Sequence, residues 1–385
     1  MMALSEPDAW GTSRVSRLFP DGGLLVHADL HNHTTLSDGS GYPQAAFRSL
    51  RSNGLDVAAL TDHSRWASAF VGPLRAPGWI GIDDRAWALT AELADAADAP
   101  GEFVALRGFE WSDARQGHMN VWGSAHFTDP LRTVPSFMRR WWRWLETTGL
   151  QEAGGFGTPL AGFNHPGTGT RRFGQFAPRP AMTDRVVTLE LFNKLDEYLF
   201  DGLDRGKVSP LVVCLDAGWR VGLIGVTDEH GSEWGKPDGK GRAGLYVGEL
   251  SRAGVAEALS ARRVFASRVK GLRLDAALRS GGTRARMGGT LAHRGGPVTV
   301  ELDLDGMDGT FSVQVLRSGR PAPALVTAAE VTLPGPVLSF EADLDAGGWV
   351  VLRVSDPGAA PDPRAPAPWR GHGRGLAYSS PFWLA

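Results

Sequence analysis

Six short apolar runs between residues 24 and 226 close on a histidine, aspartate or glutamate. Leu24–Leu30 leads into His31, His33 and Asp38. Leu55–Leu60 leads into Thr61-Asp62-His63, and Phe103–Phe109 into Glu110 and then Gly117-His118-Met-Asn. Leu160–Phe163 leads into Asn164-His165-Pro166, Val186–Leu189 into Glu190, and Val221–Val226 into Thr227-Asp228-Glu229-His230. Segments of helical character lie between or after them, at 43–52, 83–97, 134–147, 209–217 and 255–262. That alternation predicts repeated βα units with parallel strands. Such units build an α/β barrel or a doubly wound sheet, and in a barrel the strand ends carry the active site. His31 and His33, spaced i, i+2 on an extended chain, point to the same side and can grip one ion.

From about residue 271 the texture changes. Val298–Leu304, Phe311–Leu316, Val337–Leu344 and Trp349–Val354 alternate apolar and polar residues between Gly, Pro and Asp turns. This spacing predicts a small antiparallel β-sandwich. Pro357–Gly375, rich in Pro, Gly and Arg, reads as a surface loop before a last strand near Phe382. The expected division is an α/β unit over residues 1–270 and a β-rich accessory unit over 271–385.

Composition narrows the function. A net charge of −2 lacks the basic excess of proteins that bind nucleic acid or anionic membranes, so neither partner is expected. The sequence has no stretch of eighteen apolar residues, so no membrane span is expected. The first residues lack the basic and apolar regions of a secretory signal, and a cytoplasmic location is expected. The single cysteine, Cys214, lies in an apolar run and reads as a buried small hydrophobe.

Imidazole and carboxylate together, without cysteine ligands, suit zinc, manganese or iron and argue against a structural zinc site. Asp38, Glu110 and Asp228 amid six histidines would leave a buried charge imbalance that two or three divalent ions neutralise. A bridging glutamate can hold two ions about 3.5–4 Å apart, the spacing of two-metal hydrolysis. Glu190 is open between a ligand role and pairing with Lys194. Asp62 and Glu229 are open between orienting the imidazoles and ordinary solvation. Arg171 and Arg172, in Gly167-Thr-Gly-Thr-Arg-Arg, are candidates for holding a phosphate or carboxylate, or belong to a solvated turn. Phe137, Trp141, Trp144 and Leu145 share a helical face, which predicts core packing. Trp142 lies off that face with Arg139, Arg140 and Arg143, which leaves a substrate pocket or a dimer contact open.

His31-x-His33, Asp38, Thr61-Asp62-His63, Glu110, His118, Asn164-His165-Pro166 and Asp228-x-His230 resemble the successive motifs of the PHP (polymerase and histidinol phosphatase) superfamily. They span residues 27–230, about half the chain. Gly117-His118-Met-Asn-x-Trp-Gly and the terminal β-rich module resemble its CehA/McbA-like branch. An amidohydrolase barrel also opens with His-x-His, but Thr-Asp-His and Asp-x-His fit the PHP order better. The resemblance implies a distorted (β/α)7 TIM-like barrel with a trinuclear centre on its C-terminal face. It implies that His31, His33, Glu110 and Asp228 hold a first ion. Glu110 would bridge to a second held by His118 and His165, and Asp38, His63 and His230 would hold a third. Position 38 is a histidine in some members.

The expected activity is metal-dependent hydrolysis of a small-molecule substrate by a metal-bridged hydroxide, with Glu110 and Asp228 as catalytic carboxylates and Arg171 and Arg172 assisting. A phosphoesterase is the first reading. A carbamate, amide or carboxyl-ester hydrolase is the second, and a non-catalytic binding protein on the same fold the third.

Overall fold

The computed structural model describes residues 9–64, 66–71, 76–130, 132, 137–167, 172–236 and 239–385. The first half comprises β1 (Leu24–Asp29), α1 (Pro43–Ser52), β2 (Val57–Leu60), a hairpin of β3 (Trp66–Val71) and β4 (Ala76–Ile80), α2 (Asp84–Ala97) and β5 (Val104–Asp113). There follow β6 (Gly117–Trp122), α3 (Phe137–Glu146), β7 (Leu160–Phe163), a single turn α4 (Phe173–Phe176), β8 (Val186–Asn193), β9 (Asp196–Glu197), α5 (Pro210–Asp216), β10 (Gly222–Val226), β11 (Arg242–Val247), α6 (Arg252–Ser260) and β12 (Val264–Ser267). The β-rich half comprises β13 (Arg273–Ser280), β14 (Thr283–Arg286), β15 (Thr290–Leu291), β16 (Gly296–Asp305), β17 (Gly309–Arg317), β18 (Ala324–Leu333), β19 (Leu338–Leu344), β20 (Trp349–Asp356), α7 (Ala367–Arg370), β21 (Arg374–Ser379) and β22 (Phe382–Leu384).

The helices follow their local chemistry. Pro43 opens α1, and Pro43, Ala46, Phe47 and Leu50 form its buried stripe at i, i+3, i+4, i+7. Asp83 caps α2 by accepting from the Ala86 N–H, and Ser251 caps α6 by accepting from the Gly254 N–H.

Among the described residues a large mixed sheet follows the order β10-β8-β7-β6-β5-β2-β1-β11-β12-β21-β20-β17-β18. β1, β2 and β5 run parallel, as do β7, β8 and β10. β6 lies between the two sets, antiparallel to both β5 and β7, so all six strands point the same way. Their C-terminal ends therefore share one edge, and the sequence-predicted site residues arrive there together. β1, β2, β7 and β10 are buried on nearly every residue, as expected of strands covered on both faces.

Two expectations change form. The α/β half is a mixed rather than purely parallel sheet, because β6 returns directly from β5 and β11 and β12 are antiparallel additions. Its hydrogen-bonded path is linear and ends at β10, with no ladder closing it into a ring among the described residues. The β-rich half contributes a separate four-stranded antiparallel sheet, β14-β13-β16-β19, and also continues the large sheet through the β12–β21 pairing. The two sheets pack through Leu274, Leu278, Val300, Leu302, Val313, Val315, Val350, Leu352 and Val354.

The tryptophan run is core. Trp141 is fully buried between Trp111 and Trp144, with centroids 4.8 and 5.4 Å away and planes within 19°. Trp142 is also buried, stacked on Trp219 at 5.9 Å. Both side chains pack into the core with Phe109, Trp111 and Trp219. Phe137 lies outside the residues with described side chains.

Candidate metal centre

Backbone hydrogen bonds knit the ends of β1, β2, β5 and β10 together before any side chain is considered. The His33 N–H donates to Glu229 O at 2.9 Å, the Thr61 N–H to Asn32 O at 2.9 Å and the Ser64 N–H to Glu110 O at 2.7 Å. Asp62 fastens the loop after β1 to the end of β2. Buried, it accepts from the Thr34 N–H at 2.7 Å, the Thr34 hydroxyl at 2.8 Å and the Ser37 hydroxyl at 2.6 Å. Glu229 is buried and ion-paired with Lys240 at 2.5 Å. Both acids brace the loops that carry ligands, and neither is a solvated surface group.

Glu110, fully buried on β5, stands at the centre. Its Oε1 lies 3.3 Å from each of His31 Nε2, His118 Nδ1 and His165 Nε2. Its Oε2 faces His63 Nδ1 at 2.6 Å and His33 Nε2 at 3.8 Å. Asp228 Oδ1 meets His33 Nε2 at 3.1 Å, His230 Nδ1 at 3.3 Å and His31 Nε2 at 3.5 Å. Asp38 Oδ1 completes the outer part, 3.5 Å from His230 Nε2 and 3.6 Å from His63 Nε2. All nine sequence-predicted ligands are thus brought together.

These separations fit metal coordination. Ligand atoms about 2.1 Å from a tetrahedral ion stand roughly 3.4 Å from one another. The set His31, His33, Glu110 and Asp228 shows contacts of 3.0 to 3.8 Å. Likewise His33, Asp38, His63 and His230 gather their ligand atoms, as do His63, Glu110 and His118. Asp228 Oδ1 and His118 Nδ1 are buried and lack a hydrogen-bond partner, as expected of groups whose partner is an ion.

Supporting residues set the imidazoles' lone pairs. Glu190 Oε1 lies 2.8 Å from His31 Nδ1. With Nδ1–H donating to that carboxylate, Nε2 is left free for a metal. Glu190 Oε2 also accepts from the His165 N–H at 2.7 Å and from Asn193 Nδ2 at 2.9 Å. Its contacts with His31, His165 and Asn193 place it behind the ligands as an orienting residue. Asn164 Nδ2 donates to Glu110 Oε1 at 2.7 Å, a role the sequence does not reveal.

In the metal-free chain the buried carboxylates and imidazoles compensate one another. Burial would raise the Glu110 and Asp228 carboxyls, yet the surrounding imidazoles hold both well below the usual carboxylate range. Burial would lower His31, yet Asp228, Glu190 and Glu110 hold it well above the usual histidine value. His33, by contrast, is pushed well down by burial and by the neighbouring His63.

Backbone strain collects here too. His165, Lys194 and Asp228 take φ of 24°, 52° and 46°, unusual for residues with a side chain.

The centre floors an open cleft of about 300 Å³ whose wall is Asn193, Lys194, Asp196 and Tyr198. Lys194 Nζ lies 3.2 Å from Asp228 Oδ2. Arg172 reaches His165, with Nη1 3.3 Å from its carbonyl oxygen and 3.4 Å from Nδ1. Arg171 lies outside the described residues. His118 sits on a strand, opposite Ser112, because β5 runs on past Glu110 to Asp113 and β6 returns beside it. Tyr198 escaped the sequence reading altogether. Nothing in Lys194-Leu195 signals the turn between β8 and β9 that brings it to the cleft. Of the other histidines, His126 meets Gln151, His293 meets Ser280 and Leu344, and His372 meets Ser312, all away from the centre.

No family model and no curated protein matches the sequence. Among solved structures, the chain is similar to a two-domain protein from Bacteroides vulgatus containing a predicted PHP-like metal-dependent phosphoesterase. The identity is 17%, the match covers 94% of this chain and 96% of the other, and the TM-score is 0.48. A protein from Bifidobacterium adolescentis described as a metal-dependent phosphoesterase matches at 14% identity, over 54% and 88% of the two chains, with a TM-score of 0.29. An amidohydrolase from Chromobacterium violaceum, with sulfate bound and no metal, matches at 14% identity over 53% and 87%, with a TM-score of 0.25. Among the described residues no helix is long and apolar enough to cross a membrane.

Proposed function

We propose that this chain is a metal-dependent hydrolase of PHP type that cleaves a phosphate ester of a small molecule. One observation carries the reading. Glu110 Oε1 stands 3.3 Å from His31 Nε2, in the group with His33 and Asp228, and equally 3.3 Å from His118 Nδ1 and His165 Nε2, so this carboxylate lies between two groups of ligands, where an ion-bridging carboxylate would stand. His31, His33, Glu110 and Asp228 would hold one ion, Glu110, His118 and His165 a second, and Asp38, His63 and His230 a third. Zinc, manganese and iron all suit this donor set. When bound, such ions lower the pKa of a water and polarise the oxygen of the scissile group.

The chain's own residues supply the rest. Glu190 fixes the His31 tautomer, and Asn164 holds the Glu110 carboxylate in place. Lys194 and Arg172 put positive charge beside the cleft, which favours a phosphate over a neutral carbamate or amide. The cleft suits a small ligand. The narrower CehA/McbA-like assignment, a distorted barrel for residues 1–270 and an accessory role for 271–385 belong to the same proposal.

The test is the metal content of protein purified without chelator, beside a Glu110→Ala variant, with turnover of bis(p-nitrophenyl) phosphate, p-nitrophenyl phosphate and a p-nitrophenyl carbamate. About two to three ions per chain, at least one lost in the variant, and release from a phosphate ester are expected. One ion or none, unchanged in the variant, overturns the multinuclear centre. Turnover of the carbamate alone moves the reaction to that class.

A further inference from the structure

The cleft wall is held from behind by the β-rich half of the chain. β9 is a two-residue strand paired, among the described residues, with β8 alone, through Phe192–Glu197 and Asn193–Asp196. By itself so short a ladder cannot fix the residues around it. Asp196 and Tyr198 face the cleft, while Glu197 between them points the opposite way and is buried.

What Glu197 enters is built for it. The Tyr378 hydroxyl donates to Glu197 Oε1, and Arg353 Nε stands 3.6 Å from the same oxygen. Arg353 is fully engaged, donating also to Tyr378 Oη at 3.0 Å, Gln314 Oε1 at 2.9 Å and Gly373 O at 3.1 Å. Gly375 on β21 leaves the space. A Cβ there would stand 2.5 Å from Glu197 Oε1, although the backbone at 375 has no need of glycine's freedom. The segment is gripped at two more points. Arg268 donates to Leu195 O at 2.9 Å, and Arg364 donates to Glu197 O at 3.0 Å and to Asp201 Oδ1 at 2.8 Å.

We infer that Glu197 is a positioning residue, clasped by Arg353 and Tyr378 beside Gly375, through which the β-rich half sets the substrate-facing wall of Lys194, Asp196 and Tyr198. The β-rich half is then part of the active-site architecture, not a separate recognition module. Only the kinetic arm of the test rests on the hydrolase reading.

The test uses the full chain and the variants Glu197→Ala, Tyr378→Phe, Gly375→Ala and Gly375→Ala/Glu197→Asp. Hydrogen exchange of residues 194–201 is read directly, together with metal content and steady-state kinetics on bis(p-nitrophenyl) phosphate. Glu197→Ala and Gly375→Ala are expected to speed exchange in 194–201 about tenfold, with metal content unchanged. KM should rise about tenfold with a smaller change in kcat. Shortening the acid in the Gly375→Ala background should restore much of the protection, a non-additivity that general destabilisation does not produce. Tyr378→Phe removes only a hydroxyl and keeps the test alive if the larger changes impair folding. Unchanged exchange in 194–201 across these variants overturns the inference. A wild-type chain that cleaves no phosphate ester, yet shows the exchange pattern, sinks the phosphoesterase reading and leaves the clasp standing.

Discussion

Glu190 on β8 holds His31 across the sheet edge, its Oε1 2.8 Å from Nδ1, so that His31 Nε2 faces Glu110 and Asp228. The same carboxylate takes the His165 N–H at 2.7 Å, so one buried acid orients ligands from two strand ends. Glu190→Ala is expected to weaken metal binding roughly 10–100-fold, the usual cost of losing a carboxylate behind a metal-bound histidine. Titration of the apo-protein with manganese against a chromogenic chelator measures it. Wild-type affinity in the variant would remove Glu190 from the centre.

Metal uptake should release protons. Burial pulls His31 down, but Asp228, Glu190 and Glu110 outweigh it and hold the imidazole charged at neutral pH in the metal-free chain. An ion at Nε2 must displace that proton, so affinity falls as pH falls and rises as pH rises. Adding manganese chloride to apo-protein in weak buffer at neutral pH should release about one proton for this ligand. An unchanged pH would show that His31 is already neutral.

Trp141 should matter to stability and not to metal. Fully buried between Trp111 and Trp144, it also donates its indole N–H to Met119 Sδ at 3.1 Å. Trp141→Ala is expected to cost about 3–5 kcal/mol in urea unfolding, with metal content unchanged. Loss of turnover without loss of stability would return the tryptophan run to a role in substrate binding.

Cys214 should be inert in the folded chain. It is fully buried on α5, and burial alone pushes its thiol well above the ordinary value. The thiolate that reacts with disulfide reagents is therefore disfavoured, and the sulfur lies out of their reach. Native protein should not react with Ellman's reagent at pH 8, and the one cysteine per chain should react after unfolding in guanidinium. Rapid reaction of the native chain would contradict the burial.

Local chemistry determined much of this protein. The apolar runs that end in His31, His63, Glu110, His165 and Asp228 read as strands, and α1 is recovered over Pro43–Ser52 because Pro43 starts it and its apolar stripe has helical spacing. The ligand types are legible for the same reason, since histidines and acids recur at the ends of six successive apolar runs. Long-range pairing decided the rest. β6 turns back along β5, placing His118 on a strand beside Glu110, and no short-range signal separates that hairpin from a loop. β21 joins β12, which carries the large sheet into the β-rich half and brings Arg353 and Tyr378 to Glu197. Glu190 and Asp62 were open between roles because a carboxylate's partner lies across the sheet, at a sequence distance of 159 residues for His31 and Glu190. Periodicity reports which face of an element is buried. Only the packed sheet reports what that face meets.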